Sequence, residues 1–278
     1  MAKPITTRIF TVANQKGGVG KTTSAVNVAA ALAMGGLKTL IIDLDPQGNA
    51  STAFGISRDE VNGMYEVIIK DLPMQSAALK IPGYPSLEVI PATQSLANAE
   101  VELVPMVARE MRLKKSLNNY LLDAANKGER FDYVIIDCPP SLGLLTINAL
   151  VAAQELMIPI QCEYYSLEGL TLLLHTVSLI QEHLNPNIKL TTILLTMFDG
   201  RTRLANDVAA EVRKHYSAEL IDIPIPRAVR ISEAPSYGQT VMTYDPASIG
   251  AEAYGLVARE IARRGAPSSN SNSEKGVG

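Results

Sequence analysis

Residues 15–23 read Gln-Lys-Gly-Gly-Val-Gly-Lys-Thr-Thr, between an apolar run ending at Ala13 and an alanine-rich run from Thr22 to Met34. This stretch constrains the fold most tightly. A glycine-rich turn between a strand and a helix leaves backbone N–H groups free to converge on one anion. The flanks meet that condition: Arg8-Ile-Phe-Thr-Val-Ala13 is strand-like, and the run after Lys21 is helix-like. Lys21 is placed to supply charge to terminal phosphates, and the Thr22 hydroxyl to ligate Mg²⁺. One position departs from the common template G-x-x-x-x-G-K-[ST]. Gln15 stands where that template has glycine, and a second lysine, Lys16, lies beside the loop.

With that departure, Lys-Gly-Gly-Val-Gly-Lys-Thr-Thr resembles the deviant phosphate-binding loop of the MinD/ParA class of ATPases. The resemblance implies that ATP and Mg²⁺ bind at Gly17, Gly18, Val19, Gly20, Lys21, Thr22 and Thr23. It also implies that Lys16 reaches across a dimer interface to the nucleotide held by the partner subunit.

The rest of the chain agrees with an α/β; doubly wound, mostly parallel sheet flanked by helices on both faces. Apolar strand-like runs at Ile9–Ala13, Thr39–Asp43, Leu87–Pro91, Tyr133–Asp137, Leu156–Ile160, Thr191–Met197 and Leu220–Ile223 alternate with helical patterns. Several lack polar alternation, as strands buried on both faces do. Helices are expected at about 21–34, 95–126 with a break near Pro105, 142–153, 166–184, 202–216 and 246–264. The last is expected to start at the Asp245-Pro246 pair. Gly35-Gly36 is expected to end the first helix. Residues 55–85, rich in glycine and proline, read as surface helices and loops. One domain is expected over residues 1–266. The polar stretch 267–278 is expected to be a disordered tail.

Composition excludes some roles. No apolar run approaches the length of a membrane span, and nothing before the first strand looks like a secretory leader. The two cysteines, Cys138 and Cys162, sit in apolar contexts and read as free buried thiols. With 25 basic and 28 acidic residues, the net charge of −3 gives no global sign of nucleic-acid binding, so any DNA affinity needs a local patch. His175, His183 and His215 lack metal-ligand spacing, and Tyr164, Tyr165 and the Leu172–Leu174 run read as core and helix packing.

Two carboxylate motifs stand behind the loop. Ile41-Ile42-Asp43-Leu44-Asp45-Pro46-Gln47-Gly48-Asn49 ends a strand. Alternation points Asp43 and Asp45 the same way at its carboxyl end, where open α/β sheets bind ligands. The D-x-D-P-Q-G-N pattern resembles the ParA/Soj branch and puts Asp45 on its catalytic aspartate, which orients or polarises the attacking water. Phe131–Ser141 resembles a Walker B strand, implying that Asp137 holds Mg²⁺ through a water.

Two later segments are similar to the same branch. Ile225–Pro235 looks like its adenine-packing loop; Pro226 matches, while Ala228 replaces a frequent asparagine, so backbone contacts to the base are expected there. Thr196–Leu204 looks like the T-M-x-D-x-R-T stretch. Arg201, Arg203 and Arg230 are the leading candidates for a DNA-facing surface, with Arg227, Arg263 and Arg264 behind them; arginines neutralise phosphates without reading sequence.

The resemblance, from Ile9 to about Arg264, implies a ParA/Soj-type partition ATPase. Such a protein is a homodimer in the ATP state, binds non-specific DNA, and hydrolyses ATP slowly until a ParB-type centromere-binding protein stimulates it. Cytoplasmic, nucleoid-associated placement follows. A related ATPase that positions a protein cargo is the main alternative. A MinD-like membrane-cycling ATPase would need a C-terminal amphipathic helix, and the polar sequence after Ala266 disfavours it. A cluster-bridging reductase lacks a second suitably placed cysteine. A small-molecule ATP-dependent ligase of this fold would show substrate-stimulated turnover.

Overall fold

Runs of Ile, Leu and Val without polar alternation are stable as strands only where both faces are covered, and the centre of this molecule is built from such runs. The computed structural model describes residues 1–59, 61–164 and 166–267. The strands are β1 (Arg8–Val12), β2 (Thr39–Asp43), β3 (Leu79–Ile81), β4 (Tyr84–Ile90), β5 (Tyr133–Asp137), β6 (Glu155–Gln161), β7 (Lys189–Thr196) and β8 (Leu220–Ile221). They form one sheet in the order β3-β4-β2-β5-β1-β6-β7-β8. Every pairing is parallel except β3 with β4. From β1 the chain moves through β2 and β4 to one edge, returns at β5, and leaves the other way through β6, β7 and β8. The loop after β1 therefore lies where the winding reverses, the usual ligand crevice of such sheets.

The helices are α1 (Lys21–Met34), α2 (Asn49–Ala53), α3 (Met64–Ile69), α4 (Ala99–Leu103), α5 (Arg112–Asn126), α6 (Leu144–Ala152), α7 (Ser166–His183), α8 (Arg203–His215), α9 (Val229–Glu233), α10 (Val241–Tyr244) and α11 (Ile249–Gly265). Strand alternation divides the core into two. Val134 and Ile136 of β5 pack with residues of α3 to α8. Tyr133 and Ile135 pack with those of α1, α2 and α9 to α11. Helix α1 is buried almost all round, from Ser24 to Ala33, because it is wedged between the sheet and α11. Its alanines allow that close approach. Gly36, at φ +82°, ends it in the left-handed region.

The expected break near Pro105 is present: the 95–126 stretch is two α-helices with 3₁₀ turns at Gln94–Asn98 and Arg109–Met111, and the break runs from Val104 to Ala108, where Ala108 has φ +51°. Three expectations are corrected. Helix α11 starts later than expected. Asp245 closes a turn by accepting the Ser248 N–H at 3.0 Å, and the Ser248 hydroxyl caps the helix by accepting the Ala251 N–H at 3.3 Å. Residues 55–85 are not all surface. Met64, Val67 and Ile68 are core, and β3 adds an antiparallel edge strand. Tyr164 is 76% exposed and Leu172 faces solvent, so neither is core; Leu173 is. Tyr165 and residues 268–278, including nearly all of the expected tail, lie outside the described residues.

Truncating Leu32, fully buried on α1, is expected to cost about 3 kcal/mol. Urea unfolding of Leu32→Ala checks this. A loss well under 1 kcal/mol would mean that α1 is not wedged as described.

Candidate nucleotide-binding site

A helix N-terminus leaves its first N–H groups unsatisfied unless a side chain caps them. At α8 and α11 the Thr202 and Ser248 hydroxyls do so. At α1 nothing does: the N-cap is Gly20, with no side-chain bond and no acidic residue in the first turn. The loop before it is held open from beneath. The Asn14 amide donates to the Pro159 carbonyl at 2.8 Å and accepts the Lys16 N–H at 3.0 Å. The Thr196 hydroxyl donates to the Val19 carbonyl at 2.7 Å. Gly18 and Gly20 have φ +74° and +83°, a region that favours glycine. A Cβ on Gly17 or Gly18 would meet nothing within 4 Å, so the space above this backbone is open to a ligand.

That space belongs to a cavity of about 510 Å³. Gly17, Gly18, Gly20, Lys21, Thr22 and Thr23 line one side, and Asp45, Gln47 and Asn49 another. Pro226, Ala228, Ile225 and Met197 line the far end with Tyr254. The far wall is stitched together: Phe198 N–H donates to Ile225 O at 2.9 Å, and Ile225 N–H to Leu195 O at 2.8 Å. Met197 has φ +48°, a strained conformation for a non-glycine residue at a cavity wall.

Three aspartates approach the cradle, with different fates. Asp43 and Asp137 lie side by side in register at the ends of β2 and β5. Asp43 is buried and satisfied. Its Oδ2 accepts the Ser51 N–H at 2.8 Å and the Ser51 hydroxyl at 2.6 Å, and its Oδ1 accepts the Asp45 N–H at 3.3 Å. Burial, opposed by the Ser51 bonds, pushes its carboxyl up to about 6. It is a structural pin, whereas alternation alone had paired it with Asp45 on the ligand side. Asp45 lines the cavity, with Oδ1 accepting the Gln47 N–H at 2.9 Å.

Asp137 lies under the floor. It is fully buried, and neither carboxylate oxygen has a hydrogen-bond partner among the described residues. Burial and then the Asp43 charge push it well above the carboxylate range, against the pull of Thr22 and Lys21. Lys21, almost fully buried, donates to the Lys16 carbonyl at 3.1 Å. Burial lowers its ammonium, while Asp137 and Asp45 hold it up. Two orphaned carboxylate oxygens beside a threonine hydroxyl fit a hard, oxygen-loving divalent cation. The donor set therefore fits Mg²⁺.

Most other predicted residues stand apart from this cavity. Val19 is buried in the core side of the loop. The Lys16 ammonium pairs with Glu163 of its own chain, and both are half exposed. Arg201 and Arg203, 90% and 95% exposed, pair with Asp199 and Asp207. Arg230 pairs with Glu233 and Asp245. Arg227 is exposed at the cavity mouth. Arg264 is a structural residue that donates to the carbonyls of Thr191, Ala218, Glu219 and Leu220. Cys138 and Cys162 are free and buried. Sequence reasoning missed Thr196 and Tyr254 as parts of the site. Thr196 stood in a quoted motif, but nothing in the sequence marks Tyr254, which α11 delivers from about 230 residues beyond the loop.

Because Asp137 has no hydrogen-bond partner among the described residues, Asp137→Asn is expected to leave metal-free protein as stable as the parent or more so, by about 1 kcal/mol. The same change is expected to abolish the Mg²⁺ dependence of nucleotide affinity. Urea unfolding in EDTA and nucleotide titrations with and without Mg²⁺ check the two halves. Lower stability in EDTA would show that the carboxylate is satisfied without a cation.

Comparison with known proteins agrees with this geometry. The family model described as AAA domain matches residues 7–190. The chain is 48% identical to the chromosome partitioning protein ParA of Myxococcus xanthus, covering 94% of this chain and 90% of the relative. It is 49% identical to the sporulation initiation inhibitor protein Soj of Bacillus subtilis, covering 93% and 99%. Among solved structures, that of a cobyrinic acid a,c-diamide synthase from Mycobacterium smegmatis with bound ADP and magnesium superposes with a TM-score of 0.78. It is 37% identical, covering 93% of this chain and 95% of that one. On its sequence, its fold and its phosphate cradle, the chain belongs to the ParA/Soj family of chromosome-partitioning P-loop ATPases.

Proposed function

We propose that this protein is an ATP-driven dimerisation switch that binds DNA without sequence preference in its ATP state and segregates or positions DNA with a ParB-type partner. The observation that carries the reading is one cavity uniting an uncapped helix N-terminus, Lys21, and Asp45 above Asp137, whose carboxylate has no hydrogen-bond partner among the described residues. The relatives named ParA and Soj supply the cellular role.

The chain's own groups divide the work. The N–H groups of Gly17–Thr23 and the Lys21 ammonium bind the phosphates and hold their charge in place. Pro226, Ala228 and Met197 pack on the base. Thr22 and Asp137 would hold Mg²⁺, which would supply charge neutralisation for the phosphates. Asp45 orients the attacking water, with one oxygen fixed by Gln47. Lys16 leaves Glu163 and reaches the nucleotide of a second copy, so the closed pair lasts until hydrolysis. Arg201, Arg203 and Arg230 then exchange their acidic partners for DNA phosphates. No helix among the described residues is long and apolar enough to cross a membrane, and we place the protein in the cytoplasm on the nucleoid.

A second reading, an ATP-dependent small-molecule synthase, draws on the likeness to the mycobacterial synthase. DNA binding separates the two. Asp45→Ala is expected to bind ATP without hydrolysing it, to be retained on random-sequence duplex DNA with ATP and not with ADP, and to elute as salt rises. Absence of retention in both nucleotides would contradict the DNA reading. Lys16→Ala is expected to bind ATP with near-parental affinity yet sediment as a monomer. Parental dimerisation and turnover would remove the crossing role of Lys16.

A further inference from the structure

Arg58 lies between α2 and α3, in the stretch whose sequence looks least organised. Its guanidinium nevertheless makes bonds to four backbone carbonyls. Nη1 donates to Gln47 O at 2.6 Å and Nη2 to Pro46 O at 2.5 Å. On the other side, Nε donates to Ala92 O at 3.0 Å, and Nη2 reaches Thr93 O at 3.5 Å. The two sides are the turn after β2 and the segment after β4, which ends beside it in the sheet.

The turn is the one that carries Asp45. It closes with Gly48 N–H to Asp45 O at 2.8 Å, and the Asp45 carboxylate folds back onto the Gln47 N–H. Arg58 binds the two central carbonyls of this turn. Gly48 is buried beneath the guanidinium with φ +66°, and a Cβ there would collide with the Arg58 side chain. Glycine thus permits both the turn and the close approach of the arginine. A second, deeper tie joins the same segments: the Ser51 hydroxyl accepts the Ala92 N–H at 3.0 Å while donating to Asp43. Ser51 fixes the floor, and Arg58 fixes the turn above it.

We propose that Arg58 is a positioning residue for hydrolysis, holding the Asp45 turn against the Ala92–Thr93 segment so that the Asp45 carboxylate keeps its place over the phosphate cradle. This rests on the reading that Asp45 acts on the attacking water. The planar fork matters, because it spans both sides at once; a lysine ammonium is one point and reaches only one of them. Arg58 touches the cavity only through the turn, so nucleotide affinity does not depend on it.

Arg58→Met, which keeps the apolar stem, and Arg58→Lys test this against the parent and Asp45→Ala. The readouts are single-turnover ATP hydrolysis, the Kd of a fluorescent ATP analogue, and the Tm. The expected result for Arg58→Met is a fall of about 10-fold in hydrolysis rate with Kd within about 2-fold of the parent. Arg58→Lys is expected to fall between Arg58→Met and the parent. Parental turnover in Arg58→Met beside an inactive Asp45→Ala would overturn the Arg58 role and leave the Asp45 reading standing. So would a Kd that weakens in proportion to rate, or a lysine variant no better than methionine with a lowered Tm, since each marks a merely structural residue. Parental turnover in Asp45→Ala would sink the Asp45 reading, and the Arg58 role with it.

Discussion

Asp43 and Asp137 end adjacent strands in register, both fully buried, yet only Asp43 finds its hydrogen bonds among the described residues. Burying an unpaired carboxylate is costly, and nearby positive charge is sparse. Lys21 supplies one ammonium, and the N-terminus of α1 supplies a partial positive charge. Much of the surrounding structure sustains this arrangement. The continuous apolar runs of β2 and β5 set the register that brings the two carboxylates together. The alanines of α1 let that helix sit close against the sheet, so that its uncapped end meets the ends of the strands. The chain is thus folded around a buried carboxyl group whose ionised form a divalent cation, bound with a polyphosphate, would stabilise.

In the mechanism we propose, the groups that would change partners sit where exchange is inexpensive. The Lys16–Glu163 pair is half exposed, and pairs of that kind are worth about 0–1 kcal/mol. Its intrachain contact is no serious barrier to meeting a second subunit's nucleotide. Arg201, Arg203 and Arg230 pair with acidic side chains that are partly or largely exposed. Arg58 and Arg264, by contrast, donate to several backbone carbonyls at once. Releasing either would orphan several acceptors together, which suits a clamp and not a switch.

The parts legible in the sequence were those fixed by local pattern. Strands β2 and β5 and helix α1 stand at the expected residues, because unbroken apolar runs, Gly20 and Gly35 mark their ends. The glycine-rich loop and Asp45 were legible because the short motifs that carry them also bring them to one cavity. What the pattern hid was set by tertiary contact. Strand β3 has only three residues, too few for alternation to show, and gains its pairing from β4. The cap of α11 moved from Asp245 to Ser248 because Asp245 was used by the preceding turn. Asp43 and Asp45 looked alike until Ser51, eight residues on from Asp43, engaged the first. Arg58, Thr196 and Tyr254 act through contacts far away in sequence, which no local reading registers.

The direct measurement is calorimetric titration of the parent protein with ATP, in excess Mg²⁺ and again in EDTA, with the Tm of each complex. If Asp137 is a cation seat with no partner of its own, ATP binds and raises the Tm strongly with Mg²⁺ and weakly without it. Equal affinity and equal stabilisation in EDTA would contradict the account, because the buried carboxylate would then be facing the phosphates uncompensated.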